Sequence, residues 1–225
     1  MSSRTIRVFI AVLALMAPMA DVVSAQGRPA QGGARQGAGR GTATAQPPAG
    51  RAGARGAAPA TPQRSPGAGA VVVLETVKGT IEFETYPNEA PKTVEHILTL
   101  VRRNFYNGLR IHRVEPGYVV QFGDPQTRDM TKHDLWGTGG SGRPVAVAEF
   151  SPKRPHKIGS VALAHPGDAR QGDSQMYITF SPQPRLDGHF TVFGQVISGM
   201  DVVRKLQVND VIRKATVRES APPGK

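Results

Sequence analysis

Arg113 offers the most distinctive chemistry in this chain. A guanidinium stays charged at any working pH and presents five N–H groups in a fixed fork. It can therefore stabilise an electron pair by donating hydrogen bonds, and it does not serve as a general acid. It stands in the run Ile111-His112-Arg113-Val114-Glu115-Pro116-Gly117-Tyr118-Val119-Val120-Gln121-Phe122-Gly123-Asp124. The amides of Gln121 and Gln175 can each bond a peptide group or orient that cation. Other reactive chemistries fail on residue type or spacing. The chain has no cysteine, which removes disulfides, thiolate metal sites and cysteine catalysis. Its six histidines (His96, His112, His133, His156, His165 and His189) form no pair at ligand spacing on one element, so no metal and no cofactor is expected. Ser174 lacks a Gly-x-Ser-x-Gly elbow. Gly137-Thr138-Gly139-Gly140 resembles a phosphate cradle but has no Lys-Ser/Thr ending and no strand–helix unit around it.

These groups need a scaffold, and residues 71–225 have the composition to supply one. A stretch of this length makes one domain that buries about 68–70% of its unfolded surface. Residues 71–76 and 80–85 flank a Lys78-Gly79 turn and read as a β-hairpin, with Ile81 and Phe83 on one face. Pro91 opens a helix in which Val94, Ile97, Leu98 and Val101 make one apolar stripe, closed by Arg102 and Arg103. Further strands are expected at 109–114, 118–122, 145–148, 160–164, 175–180, 191–196 and 211–218, with a short helix at 199–206. Many short strands and few helices argue for a sandwich or a closed barrel with a helix at each open end.

The first 70 residues are of another kind. The chain carries 28 Lys+Arg against 17 Asp+Glu, a net charge of +11. Residues 26–70 account for much of it, holding six Arg and no acid, whereas 71–225 carry a net of only +4. This charge distribution disfavours a basic DNA-reading domain. Gly, Ala and Pro fill 30 of the 45 positions in 26–70, and no aromatic, Leu, Ile or Val occurs there. Such a stretch cannot offset the entropy of ordering and is expected to be a disordered tether. Its Arg/Gly pieces lack the aromatics that stack bases, so no specific nucleic-acid partner is expected. Residues 1–25 read as an export signal: Arg4 and Arg7, an apolar run over 8–17, then Val23-Ser24-Ala25 before a cleavage at Gln26. The run is shorter than the ~20 residues a bilayer span needs, which disfavours an uncleaved anchor and leaves no stable membrane insertion after cleavage.

The Ile111–Asp124 run resembles the central motif of the cyclophilins, which are peptidyl-prolyl cis-trans isomerases. The resemblance continues in family order through Gly137–Gly140, Ser174-Gln175-Met176-Tyr177-Ile178, Leu186-Asp187-Gly188 and Val192-Phe193-Gly194. It includes Ala90-Pro91-Lys92-Thr93-Val94 and so spans nearly all of 71–218. It implies a mainly β fold: a closed eight-stranded antiparallel barrel capped by two α-helices. It also implies catalysed rotation about X-Pro bonds in proline-containing polypeptides, with Arg113 as the catalytic donor and Gln121 beside it. By the same resemblance Tyr118, Val119, Tyr177 and Leu186 line a cup for the proline ring. Gln175 bonds the peptide or Arg113, and the backbone of Ala164 and His165 pairs with the bound chain. Gly137, Thr138 and Gly139 border the place of the residues before proline. Strand alternation turns Met176 to the core and Tyr177 to the pocket.

Some positions depart from the family pattern. Tyr118 and Tyr177 stand where well-studied members have Phe, putting two hydroxyls at the rim that could narrow the cup. Phe190 replaces a frequent pocket histidine, with His189 beside it. Arg185 replaces the tryptophan of drug-sensitive members, so weaker cyclosporin binding is expected. Residues 125–136, including Trp136, form a longer loop than compact members carry. The expected protein is an exported, monomeric folding catalyst of the periplasm or extracellular space. The alternative is a non-catalytic module, or chaperone of the cell envelope, that holds proline-containing segments.

Overall fold

The computed structural model describes residues 64–219. The export segment, the tether up to residue 63 and residues 220–225 lie outside them. β-Branched runs on either side of a two-residue turn make the opening hairpin of β1 (Val71–Thr76) and β2 (Gly79–Thr85), registered Thr76 to Gly79 and Val72 to Phe83. Helix α1 (Pro91–Arg102) buries Val94, Ile97, Leu98 and Val101 as the stripe demands. Its first turn has no side-chain cap of its own. Instead the Glu149 carboxylate, far along the chain, accepts the N–H groups of Lys92 (2.9 Å) and Thr93 (2.8 Å), placing an anion at the positive end of the helix dipole.

The remaining elements are β3 (Arg113–Glu115), β4 (Val119–Phe122), β5 (Ser160–Leu163), β6 (Met176–Thr179), β7 (Val192–Ser198), α2 (Met200–Val203) and β8 (Ile212–Arg218). The eight strands form one curled antiparallel sheet in the order β3-β4-β6-β5-β7-β2-β1-β8. Closure into a barrel is not what the ladders give. Among the described residues β3 and β8 share no ladder, and a single Arg110–Val211 bridge joins the segments that precede them.

Three expected elements come out differently. The strand at 109–114 shrinks to β3, because residues 109–111 spend their groups on the 209–212 segment: Ile111 N–H donates to Asp210 O (2.9 Å) and Ile212 N–H to Leu109 O (2.8 Å). The strand at 145–148 does not form. Ala146 takes a left-handed φ of 64°, and the Val145 and Ala146 N–H groups donate to Gly172 O and Arg170 O. α2 stops at Val203, although Leu206 is still buried beyond it. At the other end of the domain, residues 64–70, the last of the stretch assigned to the tether, lie along β2. Ser65 N–H donates to both oxygens of the buried Glu84 carboxylate (3.0 and 3.2 Å), and Gly69 N–H to Thr85 O (2.8 Å).

Strand alternation divides the apolar residues into two clusters. The main core holds Val120, Phe122, Leu163, Met176, Ile178 and Phe193 with the helix stripe. A second, smaller cluster holds Tyr86, Val119, Ala162, Tyr177 and Val192, with Tyr118, Ala164, Leu186 and Phe190 packed at its edge. Met176 and Tyr177 thus part company as the period of two requires.

Candidate active site

Register builds the site. Arg113 pairs with Gln121, Gln121 with Tyr177, Tyr177 with Ala162 and Ala162 with Val192, a single row across β3, β4, β6, β5 and β7. Cross-strand neighbours in a row project to the same face, so the cation and the apolar cluster stand side by side.

A directed chain of hydrogen bonds holds the cation. Gln175 Nε2 donates to the Gly137 and Gly139 carbonyls (2.9 and 2.8 Å). Two carbonyls fix that nitrogen, so Gln175 Oε1 must accept, and it does so from Gln121 Nε2 (2.9 Å). Gln121 Oε1 is then left to accept from Arg113 Nη1 (3.1 Å). Asp124 anchors the far end, its Oδ2 accepting the N–H groups of Gly137 (2.6 Å) and Gly139 (3.0 Å). On the open side, Glu115 Oε1 accepts from Arg113 Nε (2.8 Å) and Nη2 (2.5 Å). Of the five guanidinium N–H groups these bonds leave two free among the described residues, one on each terminal nitrogen. The Tyr118 ring lies 5.9 Å from the guanidinium carbon.

The apolar wall is equally ordered. Tyr177 and Phe190 meet edge to face at 5.7 Å, and the His165 ring stacks on Phe190 at 4.4 Å while its Nε2 lies 3.0 Å from His189 O. The His165 side chain therefore caps the wall, a part no sequence signal gave it. Tyr177 is only 5% exposed. Its hydroxyl does not sit at the rim: it lies 2.9 Å from His156 Nε2, and His156 Nδ1 is 2.7 Å from Asp187 Oδ1. Burial raises the Tyr177 hydroxyl well above the ordinary tyrosine range, with Tyr118 and Asp187 adding to it. Burial lowers His156, opposed by its hydrogen bond to Asp187. Burial would raise Asp187, but the backbone and ring hydrogen bonds from His156 outweigh it and hold the carboxyl below the usual range.

The longer loop folds into two 3-10 turns, Pro125–Arg128 and Met130–Leu135, capped by Asp124 and Asp129. Gln126 Nε2 donates to Leu135 O (3.1 Å) and Thr138 Oγ1 (3.0 Å), and Thr138 Oγ1 donates to Leu135 O (2.7 Å), so Thr138 faces the loop while Gly137 and Gly139 face Gln175. Volume would point elsewhere, to a recess of about 840 Å³ lined by Lys78, Pro116, Phe180, Arg204 and Lys205 among others. It shares no lining residue with the Arg113 row. Convergent donors beside an apolar wall mark the row, not the recess, as the candidate site. Among the described residues no group of three His, Cys, Asp or Glu could hold a metal.

The sequence model of the family described as cyclophilin type peptidyl-prolyl cis-trans isomerase/CLD matches residues 71–222. The chain belongs to that family. It is an isomerase of X-Pro peptide bonds. It is 39% identical over 137 residues to peptidyl-prolyl cis-trans isomerase B of Bacillus subtilis, covering 61% of this chain and 90% of the relative. It is 36% identical over 153 residues to a peptidyl-prolyl cis-trans isomerase of Helicobacter pylori, covering 67% and 88%. The fold is similar to that of a cyclophilin-type isomerase of Cryptosporidium parvum, with a TM-score of 0.59 at 23% identity over 68% of this chain and 99% of the other; that protein has also been crystallised in the presence of the dipeptide Ala-Pro. The cyclophilin resemblance of the Ile111–Asp124 run therefore extends to the whole domain. Glu115, His156, Asp187 and the His165 ring are the parts of the site that motif reading passed over. Only their contacts reveal them, local for Glu115 and made across the chain for the other three.

Proposed function

We propose that this isomerase acts on exported polypeptides, with Arg113 as the catalytic donor. Rotation about a peptide bond is resisted by ~18–20 kcal/mol because the nitrogen lone pair is delocalised into the carbonyl. Before proline both isomers are populated and exchange in tens to hundreds of seconds. Twisting localises the lone pair on the prolyl nitrogen, so a donor aimed there binds the twisted state more tightly than the planar one. The observation that carries this reading is the pair of free guanidinium N–H groups beside the Tyr118, Val119, Tyr177, Leu186 and Phe190 wall. The wall receives the proline ring, and Gln121 and Gln175 hold the cation over its nitrogen. The Ala164 N–H is already committed to Gln175 O (2.9 Å). The Ala164 carbonyl and the His165 N–H are what remain for pairing with the extended ligand.

The test is exchange of a proline-containing peptide followed by NMR. Arg113→Ala should lower kcat/KM by about 10²–10³, the usual loss for one oxyanion-type donor. A variant as fast as the parent would end the assignment of Arg113 as the catalytic donor, and a parent no faster than uncatalysed exchange would leave a proline-segment binding module. Export rests on residues 1–25. Mass spectrometry of the protein from cell fractions should find a mature chain beginning at Gln26, outside the cytoplasm.

A further inference from the structure

We propose that His156 is a positioning residue for the proline cup, using an Asp187–His156–Tyr177 hydrogen-bond chain, buried at His156 and Tyr177 and open to solvent at Asp187, to lock the aromatic wall and so set KM and discrimination at the proline ring. The proposal rests on the assignment of Tyr177 and Leu186 to that cup.

The chain ties together three separate pieces of backbone. Tyr177 is on β6, and His156 lies in the segment leading to β5. Asp187 ends the 3-10 turn Pro184–Leu186, directly after Leu186. The His156 side chain is 0% exposed. Asp187 Oδ1 receives both the His156 backbone N–H (2.8 Å) and the ring Nδ1 (2.7 Å).

Proton accounting then fixes every direction. An ionised carboxylate can only accept, so Nδ1 carries the ring proton. Nε2 of the neutral ring is left as an acceptor, and the Tyr177 O–H donates to it. The two rings lie nearly parallel, 11° apart with centroids at 6.0 Å, so the bond also fixes the plane of the Tyr177 ring. Phe190 packs edge-on against that ring, and His165 stacks on Phe190. The order imposed at Tyr177 is thus passed along the wall. A hydroxyl turned backwards onto His156 gives the proline ring an apolar surface even though the wall residue is tyrosine. Buried polar chains of this kind are costly when one member is missing, so each member constrains the others.

The two amide substitutions split the role chemically. His156→Asn keeps a donor near the Nδ1 position for Asp187 but cannot reach Tyr177. His156→Gln keeps an acceptor near the Nε2 position for Tyr177 but loses the Nδ1 donor. KM and kcat are measured by NMR exchange for each variant, corrected for folded fraction from thermal unfolding, on a peptide with plain proline and on one whose proline carries a 4-methyl group. His156→Asn should raise KM for plain proline by about 5- to 10-fold, change kcat by less than about twofold, and bring the two peptides' kcat/KM values closer together. His156→Gln should recover most of the lost discrimination. Placed in a Tyr177→Phe background, His156→Asn should cost no further KM. Equal losses from Asn and Gln, an effect on kcat alone, an unchanged discrimination ratio or full additivity with Tyr177→Phe would each overturn the proposal. Arg113→Ala in the same assay separates the two claims. If it is silent, the reading of this row as the catalytic site fails; if it drops the rate while His156→Asn is silent, only the positioning role fails.

Discussion

Glu115→Gln should make the enzyme faster. The Arg113 guanidinium is held from two sides, by Gln121 on Nη1 and by Glu115 on Nε and Nη2. The two holds differ in kind. Gln121 is backed by Gln175 and the Gly137 and Gly139 carbonyls. Glu115 is half in solvent, its side chain 49% exposed against 36% for Arg113. Position comes from the amide chain. What Glu115 adds is a negative charge against the cation that must stabilise a developing lone pair. An exposed ion pair is worth about 0.2–1 kcal/mol, so removing the charge while keeping an acceptor oxygen should raise kcat/KM by about 1.4- to 5-fold. The assay is NMR exchange of an uncharged proline tetrapeptide at ~10 mM and ~1 M salt. The advantage of the variant should narrow at high salt, where the Debye length falls from ~30 to ~3 Å. A folded variant that is several-fold slower at both salts would show that Glu115 aims the guanidinium, and the reasoning above would be wrong.

Three further outcomes follow from the same geometry. Gln175→Ala cuts the link between Gln121 and the glycine carbonyls, and kcat/KM should fall roughly 10-fold, about 1.4 kcal/mol for the lost bonds; the same NMR assay reads it. His112 is pushed from 6.5 down to about 4, chiefly by burial, with Arg113 adding to it and Asp124 and Gln175 opposing in part. Its protonation is therefore easier in the unfolded chain, so stability from this residue is complete above pH 6.5, falls as pH drops towards 4 and then levels off. Denaturant titrations should show about 3 kcal/mol more loss across that window in the parent than in His112→Gln. Gly123 has φ +111° and a Cβ there would meet Ser174 O at 2.2 Å, so Gly123→Ala should cost ~1–3 kcal/mol or more and lower Tm by several degrees.

What the sequence made legible is what periodicity controls. Alternation separates Met176 from Tyr177, and the 3–1–3 spacing from Val94 to Val101 gives the buried face of α1. Residues 109–114 and 145–148 misled because their apolar, β-branched content is real but their backbone groups are spent elsewhere. Leu109 and Ile111 bond the 209–212 segment, and Val145 and Ala146 bond Arg170 and Gly172. Propensity reports a residue's fitness for a pleated surface, while pairing depends on which distant segment comes alongside. The same limit applied to the site. Arg113, Gln121 and Tyr177 were legible because they sit on strands in a recognisable run. Glu149 on the α1 terminus and Asp187 beneath the wall reach their partners across 57 and 31 positions of chain.

That division has a chemical consequence. The strand row sets where the cation and wall stand, to the precision of a hydrogen-bonded ladder, and substitutions there move both together. The groups that adjust the cation's charge and the wall's freedom come from a strand end and short turns: Glu115 as the last residue of β3, His156 before β5, Asp187 after the 184–186 turn. Loops accept substitution at small cost to the fold. The turns are therefore where this enzyme's preference for one proline environment over another can change while the rotation chemistry stays in place.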